Sequence, residues 1–188
     1  MPTLREILFS LYGTWRLALM EASGLEFFDR SVAGAMRSFF AAILVLPAYI
    51  LLLYIRLRSD DVSTAWSALF LVEGSAYVIS WCSYALIMSE ISRFLDCSEK
   101  YPGFLCAYNW SSVLQMMVYL PAILISESGV VSPDAGSAIV FVATMIVLTY
   151  QWFITRVALD LTAYNALGLV MLDLVLSVFI SGAADSLL

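Results

Sequence analysis

The sequence predicts an all-α, polytopic membrane protein: about five transmembrane helices, preceded by an N-terminal amphipathic helix lying at the membrane interface. Three observations carry this prediction. Hydrophobic residues make up 62% of the chain and charged residues 13%, against roughly 45–50% and 25% in soluble domains, so lipid has to be the solvent. The apolar residues come in runs, each near the roughly 20 residues that one bilayer crossing needs. The stretch from Ala135 to Gly182 holds two such runs, parted only by Arg156 and Asp160, and reads as a hairpin of membrane helices. One membrane domain over 38–188, with a surface segment over 1–37, uses the chain up.

Composition also removes whole classes of chemistry. A formal net charge of −6 argues against nucleic acid as a partner. With no histidine, imidazole metal ligands, His general bases and Ser-His or Cys-His couples are excluded. No metal site and no cofactor is expected, since neither a Walker motif nor GxSxG or HExxH occurs. Cys82, Cys97 and Cys106 are unevenly spaced and are expected to be free thiols.

In chain order, Thr3-Leu4-Arg5-Glu6 has the form of a capping box. Leu4, Ile7, Leu8, Leu11, Trp15, Ala18 and Leu19 then recur at helical spacing. This is the interfacial helix, over 3–22; packing against the protein's own helices would leave the same pattern. The segment from Leu25 to Arg37 mixes Phe27 and Phe28 with Asp29, Arg30 and Arg37 and reads as an interfacial elbow. The first span runs from Ser38 to Ile55, uncharged, with a kink expected at Pro47. The second runs from Thr64 to Met88 and carries Glu73, Tyr77, Ser80 and Tyr84 on one stripe, with Trp66 two turns earlier. A polar loop follows from Glu90 to Gly103. The third span, Phe104 to Ile125, carries Asn109, Ser112, Met116 and Tyr119 on one face with Gln115 beside it. The fourth, Ala135 to Thr155, carries Ser137, Thr144 and Gln151. The fifth, Leu161 to Ile180, carries Asn165, Asp173 and Ser177.

Five spans place seven of the nine lysines and arginines on the N-terminal side and only Arg56 and Arg58 on the other. The positive-inside rule then predicts an inner or plasma membrane protein with a cytoplasmic N-terminus and its C-terminus outside.

Two polar groupings stand out. Glu73 and Asp173 lie within spans where no lysine or arginine reaches. An ionised carboxylate there costs roughly 2.5–3.5 kcal/mol, so each must face protein or water, or carry a proton. A shared intramembrane site with Tyr77, Asn109 and Gln115 would satisfy them, as would purely structural hydrogen bonds, worth about 0.6 kcal/mol each between membrane helices. The second grouping is a cytoplasmic-rim cluster of Arg156, Asp160, Gln151 and Asn165, with Arg156 expected to pair with Asp160 one turn on.

The elbow from Gly24 to Arg37, the proline-bearing first span and the polar third span together resemble Yip1-like membrane proteins. The eukaryotic signature Asp-Leu-Tyr-Gly-Pro is missing, with Leu11-Tyr12-Gly13 its only fragment, so no functional residue carries over. The resemblance implies a non-enzymatic integral membrane protein acting through partners. The functional expectation is accordingly an accessory or scaffold subunit, embedded in the lipid bilayer and touching other membrane proteins or a second copy of itself. The alternative is a small transporter whose Glu73 and Asp173 handle protons, cations or a small substrate. An enzyme ranks third, since only a carboxylate pair remains for acid–base work.

Overall fold

The computed structural model describes residues 1–59 and 66–188, with the side chains of 56–59 and 66–67 left aside. The expected Trp66 position and the Arg56–Asp61 loop therefore lie outside the described side chains. Among the described residues the chain is helical, with seven α-helices and no strand. They are α1 (Leu4–Ala18), a 3-10 helix (Ala22–Phe27), α2 (Val32–Ser38), α3 (Phe40–Ser59), α4 (Trp66–Phe94), α5 (Tyr101–Glu127), α6 (Pro133–Leu159) and α7 (Ala163–Asp185). Four stretches are long and apolar enough to cross a membrane: Val32–Ile55, Ala68–Phe94, Pro133–Leu159 and Ala163–Asp185. α5 is as long as α6, but Asn109, Ser111, Ser112 and Gln115 interrupt its apolar run.

α5 is the axis of the bundle, packing against α1, α2, α3, α4 and α6. That explains its composition: Phe104, Ala107, Asn109, Trp110 and Ser111 are all buried, so its polar groups meet protein rather than lipid. α6 lies against α5 and α7 against both α6 and α4. Two apolar clusters fix this order. Leu17, Phe28, Ala35, Leu105, Trp110 and Ile154 join the N-terminal segment to α5 and α6. Tyr84, Met88, Cys97, Phe104, Leu159 and Leu169 join the end of α4 to the α6–α7 link. Large side chains such as Ile43, Phe70, Leu71, Phe141, Val175 and Phe179 point outward, a coat suited to hydrocarbon.

α1 starts as half of the expected capping box. Thr3 Oγ1 accepts from the Glu6 amide at 3.2 Å, but the Glu6 carboxylate does not turn back to Thr3. It accepts instead from Arg37 Nε at 2.9 Å, because α2 brings that guanidinium beside it. The apolar stripe of α1 is also divided. Ile7, Leu11 and Ala18 pack on the core, while Leu4, Leu8, Trp15 and Leu19 are exposed. Its closest face is made of small residues, with Ser10, Gly13, Thr14 and Leu17 buried. A Cβ at Gly13 would come within 2.7 Å of the Gly24 carbonyl oxygen, so the helix and the following 3-10 segment approach backbone to backbone. The Tyr150 hydroxyl donates to the Thr14 carbonyl at 2.8 Å and ties α1 to α6.

The elbow is more ordered than its mixed composition predicts. Ser31 caps α2, accepting from the Gly34 amide at 3.0 Å. Asp29 accepts from the Ser31 amide at 3.0 Å and pairs with Arg37. The Ser31 bonds, with Arg37 behind them, hold the Asp29 carboxyl below the usual carboxylate range. The expected loop from Glu90 to Gly103 shrinks, since α4 continues to Phe94 and α5 begins at Tyr101. Pro47 lies inside α3.

Candidate functional site

Asp173 sits at the middle of α7 and is 9% exposed. Two neutral donors reach it from two other helices. The Tyr108 hydroxyl on α5 donates to Oδ2 at 2.9 Å, and the Gln151 amide on α6 donates to the same oxygen. Oδ1 has no hydrogen-bond partner among the described residues. Tyr108 is itself held by the Tyr84 ring, 4.8 Å away between centroids. The Tyr84 hydroxyl donates to the Leu169 carbonyl, one turn before Asp173.

Glu73 lies in the first third of α4, nearer that helix's start than the mid-span depth expected for it, because α4 runs on past Met88. It is 5% exposed. The Tyr49 hydroxyl on α3 donates to Oε2 at 2.8 Å. Oε1 is buried and unpartnered among the described residues. A buried acceptor without a donor is costly and rare in native structures.

Both carboxyls line one half-open cavity of about 300 Å³ between α3, α4, α5 and α7. Its walls include the rings of Tyr49, Tyr77, Trp81 and Tyr108. Ser80, Ser112 and Ser177 add hydroxyls. Among the described residues no lysine or arginine lines it. The two carboxyls neither hydrogen-bond to each other nor share a partner; they meet through the cavity.

The other residues expected at this site are distributed differently. Tyr77 does line the cavity, but its hydroxyl donates to the Ala42 carbonyl at 2.6 Å. That carbonyl precedes Ile43, whose own i+4 donor is missing because Pro47 has no N–H. Asn109 faces away, donating to Ser38 Oγ at 2.8 Å with its own Oδ1 buried and unpartnered. Gln115 donates to Ser111 Oγ at 3.1 Å. It lines a separate apolar groove between α1, α5 and α6 with Trp15, Met145 and Ile146. The uncharged first span supplies Tyr49 to Glu73 and Ser38 to Asn109.

The rim cluster does not assemble. Asp160 ends α6 in the left-handed region at φ 55°, which turns its side chain off the helix and away from Arg156. It pairs instead with Lys100 at 2.9 Å, and that ammonium holds its carboxyl below the usual range. Arg156 lies over the Trp152 ring, 5.5 Å from its centroid. Asn165 is exposed in the first turn of α7, and Gln151 belongs to Asp173.

Tyr49 and Tyr108 carry the polar contacts that the sequence did not single out, since a tyrosine in an apolar run gives no sign of its partner. Helix counting offers a signal for the second. Gln151 is eight residues before the end of α6 and Asp173 ten after the start of α7, so the hairpin sets them at nearly one depth. Among the described residues no three Cys, Asp or Glu side chains gather as a metal site. The three cysteines are free. No family model, curated protein or solved structure matches the chain.

Proposed function

We propose that this chain is an integral membrane protein of five crossings that binds a small cation or proton in the cavity between α3, α4, α5 and α7 and carries it across. The observation that carries the reading is Glu73 Oε1: an acceptor buried without a donor, in a side chain that lines the same cavity as Asp173. Ser83 Oγ and Asn109 Oδ1 are also buried without a partner among the described residues, but of the three only Glu73 belongs to a residue that lines the cavity. The four apolar stretches supply four crossings, and α5 supplies the fifth inside them, where its amides and hydroxyls are shielded from lipid. In this reading α1 lies in the interface, with Leu4, Leu8, Trp15 and Leu19 towards the acyl chains. The membrane side that holds the N-terminus, with seven of the nine lysines and arginines in this topology, is cytoplasmic.

The accessory or scaffold role takes second place. Its support is the apolar groove of about 630 Å³ beside α1, α5 and α6, a surface that lipid acyl chains fill equally well. Uptake of monovalent cations and of protons into proteoliposomes separates the two roles. Flux with the wild type, and its loss in a folded Glu73→Gln/Asp173→Asn double variant, is the expected result. Equal flux in both proteins, or none in either, overturns the transport reading.

A further inference from the structure

We infer that the cavity takes a small organic ammonium, one that bears N–H donors on an alkyl body. The inference rests on the proposed cation-binding role and narrows its ligand class. Two carboxylate oxygens there want donors: Glu73 Oε1, unpartnered in a side chain 5% exposed, and Asp173 Oδ1. An ammonium group supplies positive charge and up to three N–H bonds at once, which suits this pair. Anions are disfavoured, because no basic side chain among the described residues lines the cavity.

The walls choose between cations. A bare metal ion calls for a shell of several converging oxygen ligands, and the described residues gather no third carboxylate or thiolate here. What they gather is aromatic. Tyr49 and Tyr77 stand 4.7 Å apart between centroids, and the Trp81 ring lies 6.2 Å beyond Tyr77. With Tyr108 opposite, these faces attract an organic cation through their ring quadrupoles and cover its methylenes. A volume of about 300 Å³ lies at the small end of the range for ligand sites, roughly 300–1,000 Å³, and so sets a ligand of few heavy atoms. Quaternary ammonium fits less well, since it leaves Glu73 Oε1 without a donor.

The test is titration of the purified, lipid-reconstituted protein with n-propylammonium, tetramethylammonium and n-propanol, followed by calorimetry and by the fluorescence of Trp81. The expected order places n-propylammonium first, with the other two weaker by about tenfold or more, as loss of a charge-assisted hydrogen bond requires. Glu73→Gln should weaken n-propylammonium by a similar factor. Equal affinity for n-propanol, or unchanged affinity in Glu73→Gln, overturns the inference; the three-ligand comparison on the wild type stands even if the variant fails to fold. The flux experiment separates the two levels. Cation or proton flux that depends on Glu73 and Asp173, without n-propylammonium binding, removes the ligand class and leaves the transport reading. Absence of both removes both.

Discussion

The Tyr49 hydroxyl donates to Glu73 Oε2 at 2.8 Å, joining the proline-bearing α3 to α4 at the wall of the cavity. It fixes one carboxyl oxygen and leaves the other buried without a donor among the described residues. Tyr49→Phe removes that donor and strands a second buried acceptor. Its expected cost is about 1–3 kcal/mol of stability, read as a lower thermal midpoint in detergent.

Asp173 holds three helices together through a single oxygen. Asp173→Leu leaves the Tyr108 hydroxyl and the buried Gln151 amide without their acceptor, and should cost about 1–3 kcal/mol for each stranded group. Asp173→Asn keeps an acceptor oxygen and should cost less. Thermal unfolding of the pair checks the order; equal midpoints would show that the bonds contribute nothing.

The approach of α1 to the following 3-10 helix depends on two glycines. A Cβ at Gly24 would lie 2.5 Å from the Gly13 carbonyl oxygen and 2.9 Å from Leu17 Cγ. Gly24→Ala and Gly13→Ala should each destabilise the protein by about 1–3 kcal/mol, the usual penalty for overpacking. Limited proteolysis of the N-terminal 30 residues should become faster in both.

Asp29 provides the pH dependence. Its folded-state carboxyl titrates below the ordinary range, chiefly because of the Ser31 bonds and then Arg37. Its contribution to stability is therefore complete above the unfolded-state value of about 3.9 and disappears as pH falls through the lower folded value. Asp29→Asn should flatten the acid limb of a midpoint-against-pH curve below about pH 4. The exposed Lys100–Asp160 pair acts in the same direction.

Hydropathy and helical spacing made the helical membrane character legible, because burial in lipid writes itself into runs of apolar residues. The packing of the last two helices on each other was legible too, from the short link between them. Side-chain partners were not. Asp173 could be singled out by its cost, yet its donors are a tyrosine and a glutamine that read as belt and rim residues. The Asp160 pairing depended on a left-handed backbone at one residue, Asn109 turned to Ser38 on α2, and Gln115 bonds back to Ser111 one turn earlier on its own helix. Helical periodicity gives the face a residue shares; it does not give the helix that face meets.

The most direct measurement is the thermal midpoint of Glu73→Gln, with and without n-propylammonium. If Glu73 is kept for a ligand, its unfilled oxygen is a cost in the empty protein. The glutamine carbonyl would retain the Tyr49 bond, and the neutral amide in place of Oε1 would leave no carboxylate charge to desolvate. The empty variant should then melt above the empty wild type by about 2–4 °C, as a gain of roughly 1 kcal/mol implies at this size. Ligand should raise the wild-type midpoint and leave the variant unchanged. A variant that melts lower than wild type and still responds to n-propylammonium would make Glu73 a structural residue and contradict the account.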